Sequence, residues 1–450
     1  MKDLLFSWVE RNRDWTLNVL EEYLKIPSVS ATGEGIKEAQ GFLLNLLNGL
    51  GFKTRLIETK GNSLVYAEFI VDETFKTILF YNHYDVQPAE PLDEWISPPF
   101  SLTERDGKLF ARGASDNKGS LMARIAAIKA FIDEKVQPPV NVKFIIDGEE
   151  EIGSPNLSEA VENSKDLLKA DLCIWENGSK DEEGRPEMIL GCKGIVHAEL
   201  KAEGGRQDIH SSLGTMIPNP SWRLVWALAS LKDKDEKILI DGFYDEVIPL
   251  GDEEKEYIRH IPFDAEEKLK LYGLKEFILG LADKRLLLHH LSSPGLNICG
   301  LSSGYEGPGH KSIIPKEAWV KLDFRLVPDQ KPEDILRRLR AHLDKHGFHD
   351  IKIENAGGYP PARTDVNHLF VRLVAEATKE VYGKDPIIYP WMAASGPMYL
   401  FTQRMPCVSA GVGNPESNIH SPNESIYIED LFQGVRHIIQ IMIRLRTTTD

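Results

Sequence analysis

The sequence predicts an α/β protein: a mixed, mainly parallel sheet with helices on both faces, interrupted by an inserted α+β domain. Three observations lead there. Strand-like apolar runs alternate with helical segments through the first half of the chain, the pattern of an open sheet covered on both sides. From about Gly194 the order changes to strands and helices that close on themselves. A turn-rich segment at Gly357-Gly358-Tyr359-Pro360-Pro361 then marks the return to the first pattern.

In order, residues 3–25 carry apolar side chains at a spacing near 3.6 and predict a helix. IKEAQGFLLNLLNGL predicts a second, stopped at Gly51. The runs TRLIE, SLVYAEFIV and TILFYN predict strands, followed by a helix from near Lys118, then the strands NVKFIID and DLCIW. The insertion reads as the strand IVHAELKA, the helix SWRLVWALASL and a charge-rich helical stretch over 251–290. It continues with the strand AWVKLDFRLV, the helix PEDILRRLRAHLDKHG and the strand DIKIE. The helix VNHLFVRLVAEATKEVYG, the strands PIIYP and PCVSAGV, and a helix from Leu431 complete the first domain. The expected division is therefore 1–192 plus 358–450 for the larger domain and 193–357 for the insertion.

Composition narrows the function classes. At 450 residues, with 42% hydrophobic and 27% charged side chains, the chain has room for two or three domains with real cores. Its net charge of −16 repels phosphate backbones and anionic lipid, so neither nucleic acid nor a membrane is an expected partner. No apolar run approaches the roughly 18 residues of a membrane span. MKDLLFSWVERNRDW reads as an amphipathic helix rather than a secretion signal, and a cytoplasmic location is expected. Cys173, Cys192, Cys299 and Cys407 form no CxxC pair and read as small buried core residues.

Ligands of open α/β sheets bind at the carboxyl ends of the strands. After TILFYN comes His83-Tyr84-Asp85; after NVKFIID comes Gly148-Glu149-Glu150-Glu151; after DLCIW comes Glu176; after PCVSAGV a loop ends in His420. Asp116 stands just before the helix near Lys118. Each alone has a plain reading: a structural histidine, a solvated helix start, an N-cap. Together they deliver two imidazoles and several carboxylates to one sheet edge. Two His and three carboxylates suit two divalent cations, zinc with cobalt or manganese as alternatives, one carboxylate bridging. Such a pair acidifies a shared water, and a carboxylate off the metals must then serve as general base. Adjacent Glu150 and Glu151 fit this split, one toward the water and the other toward a metal. Asp85 is placed to hydrogen-bond His83 and fix its tautomer.

HYDVQP, GASDNKG, EEIGS, the acid of WENG and NIHSPNE resemble, in order and spacing, the di-zinc aminoacylase, carnosinase and carboxypeptidase G family. The resemblance runs over nearly the whole chain. DIHSS, DGFYDEVIPL and GYEGPGHKSIIPKEAWVKLDFRLVPDQ look especially like its carnosinase-like dipeptidase branch. It implies a zinc-exopeptidase-like catalytic domain, and an insertion over 193–357 that is a lid and also forms a homodimer. It implies that Asp116 bridges two metals, His83 and Glu176 completing one site, Glu151 and His420 the other. Glu150 becomes the general base, with Asp85 supporting His83. His210 matches a histidine that reaches a partner's active site and polarises the scissile carbonyl, and Arg325 the arginine that holds a terminal carboxylate. Asn297, Ser395 and His310 match further substrate contacts.

Two positions depart from the branch. Glu176 stands where Asp is usual, as in the carboxypeptidase and deacylase branches. Trp391-Met392-Ala393-Ala394-Ser395 stands where an Arg precedes Gly-Gly-Ser, which removes a charge and backbone freedom beside the substrate. The expected activity is hydrolysis of an amide bond in dipeptides or short peptides, as a dipeptidase or carboxypeptidase, through a water shared by two metals with Glu150 as base. Deacylation or desuccinylation of N-acyl amino acids is the alternative within enzymes, and a non-catalytic binding relative the alternative outside them.

Overall fold

A computed structural model describes residues 1–446, and the chain divides into two compact units. The first comprises Met1–Gly191, Thr364–Pro390 and the chain from Leu400 onward; the second comprises Cys192–Arg363 and Trp391–Tyr399. Among the described residues no helix is long and apolar enough to cross a membrane.

The first unit is built on a six-stranded sheet. From edge to edge it runs Lys53–Ile57, Leu64–Phe69, Asn141–Asp147, Thr77–His83, Leu172–Trp175 and Cys407–Ser409. The first two pairings are antiparallel and the remaining three parallel, so the sheet is mixed and mainly parallel, as expected. Thr77–His83 is buried along nearly its whole length because parallel strands are covered on both faces. The helix Lys118–Asp133 packs on it and is itself buried almost all round, with Ile428–Arg446 and Lys2–Arg11 packed against that helix in turn. Parallel pairing with one common direction puts the ends of four strands, and hence His83, Asp147 and Trp175, at one edge.

The sequence reading differs in places. The expected helix over 3–25 is two, Lys2–Arg11 and Arg13–Leu24. At the break Asn12 leaves the helical backbone region, with φ −116° and ψ 24°, and its side-chain amide joins its own N–H in donating to the Trp8 carbonyl, each at 2.9 Å. The segment over 36–50 ends as expected: Gly51 takes the left-handed conformation, φ 86°, that closes a helix. The charge-rich stretch is three helices, Asp252–His260, Ala265–Tyr272 and Asp283–Ser292.

In the second unit a four-stranded antiparallel sheet runs Gly295–Ser303, Glu317–Leu326, Gly194–Glu203, Lys352–Tyr359. The helices Pro220–Leu231 and Pro332–Lys345 pack on it. Each starts at a proline whose missing N–H costs nothing in the first turn, and Asn219 caps the former by accepting from Ser221 N at 2.8 Å. Gly357 and Gly358, expected in a turn, lie in the last strand opposite His197 and Val196. A Cβ on Gly358 would collide with the Ile195 carbonyl, so this glycine serves close strand approach rather than a turn. Ile335, Leu339 and Leu343 sit four apart on the inner face of their helix and join the core of Val196, Leu200, Leu224, Val320 and Phe324. Leu339→Ala should destabilise this unit by about 2–5 kcal/mol, read from chemical denaturation followed by circular dichroism.

Cys173, Cys192 and Cys407 are buried, but Cys299 is exposed on the edge strand Gly295–Ser303, a correction to the expectation that all are core. Most residues of that edge strand are exposed or half-buried, and Cys299 is among the exposed ones.

Candidate metal centre

His83 ends its strand fully buried. Its Nε2 lies 2.9 Å from Asp116 Oδ1 and 3.7 Å from Glu176 Oε2. Asp116 presents its other oxygen, Oδ2, to His420 Nε2 at 3.2 Å, and His420 Nε2 also meets Glu151 Oε2 at 3.0 Å. One carboxylate therefore lies between two imidazoles, with Glu176 on the His83 side and Glu151 on the His420 side. Donor atoms of His83, Asp116 and Glu151 all lie within 4.8 Å of one another, a spacing that can hold a metal ion. Glu176 Oε2 is buried with no hydrogen-bond partner. An orphaned carboxylate oxygen is costly in a protein interior, and a cation would satisfy it.

The electrostatics follow from crowding charges. Burial opposes the imidazolium of His83, yet its bonds to Asp116 and Asp85 outweigh that and raise its pKa well above the usual value. Hydrogen bonds to Asp116 and Glu151 lift His420 to about 10. Burial opposes the charge on Asp116, but His420 and His83 hold it well below the carboxylate range. Glu176 is pushed well up, by burial first and then by Glu150. Glu150 sits at about 8: burial raises it, and Asp116, Glu151 and Asp85 add to that against His83.

The structure refines Asp85. His83 Nδ1 bonds the Asp85 backbone carbonyl at 3.0 Å, while the carboxylate Oδ1 stands off at 3.5 Å. That carboxylate instead accepts the backbone N–H groups of Glu150 and Glu151, at 3.2 and 3.0 Å. Asp85 thus orients His83 through its main chain and the Glu150-Glu151 turn through its side chain.

Several supporting residues carried no expectation. Gln87 donates to Glu151 Oε2 at 3.0 Å. Glu424, wholly buried, accepts the N–H groups of Gly113, Ser115 and Asp116 at 2.8–2.9 Å and pairs with Arg112 at 2.8 Å. Asn117 donates to the Glu176 carbonyl at 3.1 Å and accepts from Asn82. Glu424 lies inside the NIHSPNE motif, and a charged residue within that motif was the available signal.

The remaining candidates lie in the second unit. Arg325 donates to Ser395 Oγ at 3.0 Å and to Asp323 at 3.1 Å, so these two meet as a pair. Arg325 and Asn297 line a cavity of about 590 Å³ together with Lys193, His290, Ile278 and Ala393. Trp391 is buried and donates to the Leu291 carbonyl at 2.8 Å, holding the end of the helix Asp283–Ser292. His210 is exposed in a two-strand ribbon, opposite Ile313, with Nδ1 2.9 Å from Ser212 Oγ. His310 is exposed in the loop leading into that ribbon.

Residues 79–444 match the family model for peptidase family M20/M25/M40. The chain belongs to this family. It is a metallopeptidase, a hydrolase, and the resemblance first seen in the motifs holds along its length. The M20 peptidase is similar in structure to the M20 family metallo-carboxypeptidase Sso-CP2 of Sulfolobus solfataricus, with a TM-score of 0.88 and 42% identity over 96% of this chain and 99% of that one. It is 29% identical to Beta-Ala-His dipeptidase of Rattus norvegicus, over 98% of this chain and 95% of the relative. It is 31% identical to Cys-Gly metallodipeptidase DUG1 of Saccharomyces cerevisiae, over 86% and 83%.

Proposed function

We propose that this peptidase hydrolyses the amide bond of dipeptides or short peptides with a free terminal carboxylate, using two divalent cations and Glu150 as general base. The observation that carries the reading is the Asp116 carboxylate between His83 and His420, with Glu176 beside the former and Glu151 beside the latter. The donor set of imidazoles and carboxylates, and the orphaned Glu176 oxygen, fit zinc, with cobalt or manganese as alternatives. Asp116 would be shared, His83 and Glu176 would hold one ion, and Glu151 and His420 the other. When bound, such ions acidify a shared water and polarise the scissile carbonyl.

The protein's own groups then do the following. Glu150 takes the water proton on its carboxylate as the new C–O bond forms, and gives it to the leaving amine nitrogen as the C–N bond breaks. Its raised pKa suits both steps. Asp85 holds the Glu150 backbone in register with His83. Arg325, oriented by its hydrogen bonds to Asp323 and Ser395, is suited to a terminal carboxylate, and Asn297 shares its cavity wall. His210 would polarise the carbonyl from a partner copy, and His310 would lie on the substrate side. The dipeptidase names of two relatives and the carboxypeptidase name of the third support this substrate class.

Further parts of the reading are a homodimer through the inserted unit and a cytoplasmic location. The stacked, half-exposed Trp222 and Trp226, and exposed Ile298 and Leu301 on the edge strand, support the first. The free thiols Cys173, Cys192 and Cys299 support the second.

The test is a panel of dipeptides and N-acyl amino acids on protein stripped by chelator and reloaded with zinc, cobalt or manganese. Stripping should abolish hydrolysis and about two equivalents of metal should restore it. Faster turnover of N-acyl amino acids than of any dipeptide would replace this reading with the deacylase; Glu176 is a feature shared by the carboxypeptidase and deacylase branches.

A further inference from the structure

Arg124 lies in the middle of the helix Lys118–Asp133 and is fully buried. Its guanidinium meets oxygens from three adjacent strands of the sheet. Nη1 donates to the Tyr81 carbonyl at 2.7 Å and to Asn82 Oδ1. Nη2 donates to the carbonyls of Trp175 at 2.5 Å, Glu176 at 3.1 Å and Ala410 at 3.0 Å. Tyr81 and Asn82 immediately precede His83; Trp175 and Glu176 end the neighbouring strand; Ala410 follows the strand Cys407–Ser409 beyond it. The pairing of Thr77–His83 with Leu172–Trp175 stops at Phe80, and that of Leu172–Trp175 with Cys407–Ser409 stops at Trp175 and Ser409, so along these two seams the buried C=O groups need a donor from elsewhere. Asn82 extends the network to Asn117, whose amide donates to the same Glu176 carbonyl.

A buried guanidinium is expensive to desolvate, and only dense hydrogen bonding offsets that. Packing alone would be served by the Leu or Met that the apolar run LMARIAAIKAF elsewhere uses. What only a planar fork with several donors can do is hold three strand ends in fixed mutual register. Two of those ends carry His83 and Glu176, whose donor atoms lie 3.7 Å apart.

We propose that Arg124 is a positioning residue of the metal centre: its fork sets the separation and orientation of His83 and Glu176 so that the two share one cation. The inference rests on the reading of His83 and Glu176 as ligands of one ion. Arg124 touches neither substrate nor reacting atoms and acts through those ligands, as outer partners that orient metal ligands do.

The test uses full-length Arg124→Lys, which keeps the charge and most of the stem but loses the fork. Cobalt binding is titrated against a chromophoric chelator, and the visible absorption of the cobalt-loaded protein is recorded. The variant should fold, with cobalt affinity at one of two sites about 10–100-fold weaker, an altered cobalt spectrum, and a lower kcat with KM nearly unchanged. A folded Arg124→Lys with native cobalt affinity and spectrum would overturn the proposal. Should Arg124→Lys not fold, Asn82→Ala removes one acceptor and the link to Asn117 while sparing the carbonyl bonds. It should shift the spectrum in the same direction, and an unchanged spectrum there overturns the proposal too. The two readings fail separately. Native protein that binds cobalt but hydrolyses no dipeptide removes the substrate assignment and leaves Arg124 standing, whereas native protein that takes up no cobalt removes both.

Discussion

Glu150→Gln is expected to purify with two metal ions per chain and to hydrolyse dipeptides about 10³–10⁴-fold more slowly than the native enzyme. Glutamine has the shape of glutamate, and the Glu150 main chain stays tied to the Asp85 carboxylate, so the local backbone has no reason to move. What changes is the ability to accept a proton from water and return it to the amine. The contacts among the ligand candidates Asp116, His83, Glu176, Glu151 and His420 are made by their own side chains, which the change leaves in place. Elemental analysis of metal content, with kcat measured on the same sample, checks both halves. Near-native turnover with full metal content would remove Glu150 from the base role.

Glu424→Gln is expected to produce the largest stability loss of any single change at this edge, about 3–5 kcal/mol, or on the order of 10 °C in Tm. Glu424 and Arg112 are both wholly buried and paired at 2.8 Å. Removing one charge leaves the other in low dielectric with no counter-ion, and that dominates the cost. Glu424 also accepts three consecutive-loop N–H groups, among them that of Asp116, across 308 residues of sequence. Glutamine can accept on only one of its two terminal atoms, so the Asp116 loop loosens and metal affinity should fall with stability. The double variant Arg112→Met/Glu424→Gln tests the cause. Removing both charges should recover much of the thermal loss while leaving metal affinity weak, because the loop contacts are still gone. Equal Tm for the single and double variants would show that the unpaired arginine was not the source.

Much of the fold could be read along the chain because periodicity is a local property. Strand runs such as TILFYN and NVKFIID became the parallel core, and the position after each run located His83, Glu150, Glu151 and Glu176. The errors fell where local signals compete. The helix over 3–25 divides at Asn12, whose backbone leaves the helical region while its side chain bonds the preceding turn, which hydrophobic spacing does not reveal. Gly358 looked like a turn residue, yet sits in a strand because another backbone passes against it. Cys299 looked like core because cysteines usually are, and its strand turned out to be an edge.

The sequence by itself determined the class of fold, the family and the set of residue types gathered at the strand ends, since these follow from hydrophobic period, strand order and motif spacing. Only the tertiary structure decided how those residues are held. That Asp85 serves the Glu150-Glu151 turn, that Glu424 closes the Asp116 loop and that Arg124 gathers three strand ends are long-range facts. A buried charge chooses its partners by what the folded chain leaves unsatisfied around it. Arg124 and Ala410, 286 residues apart, meet only because sheet packing brings an unpaired carbonyl to a guanidinium.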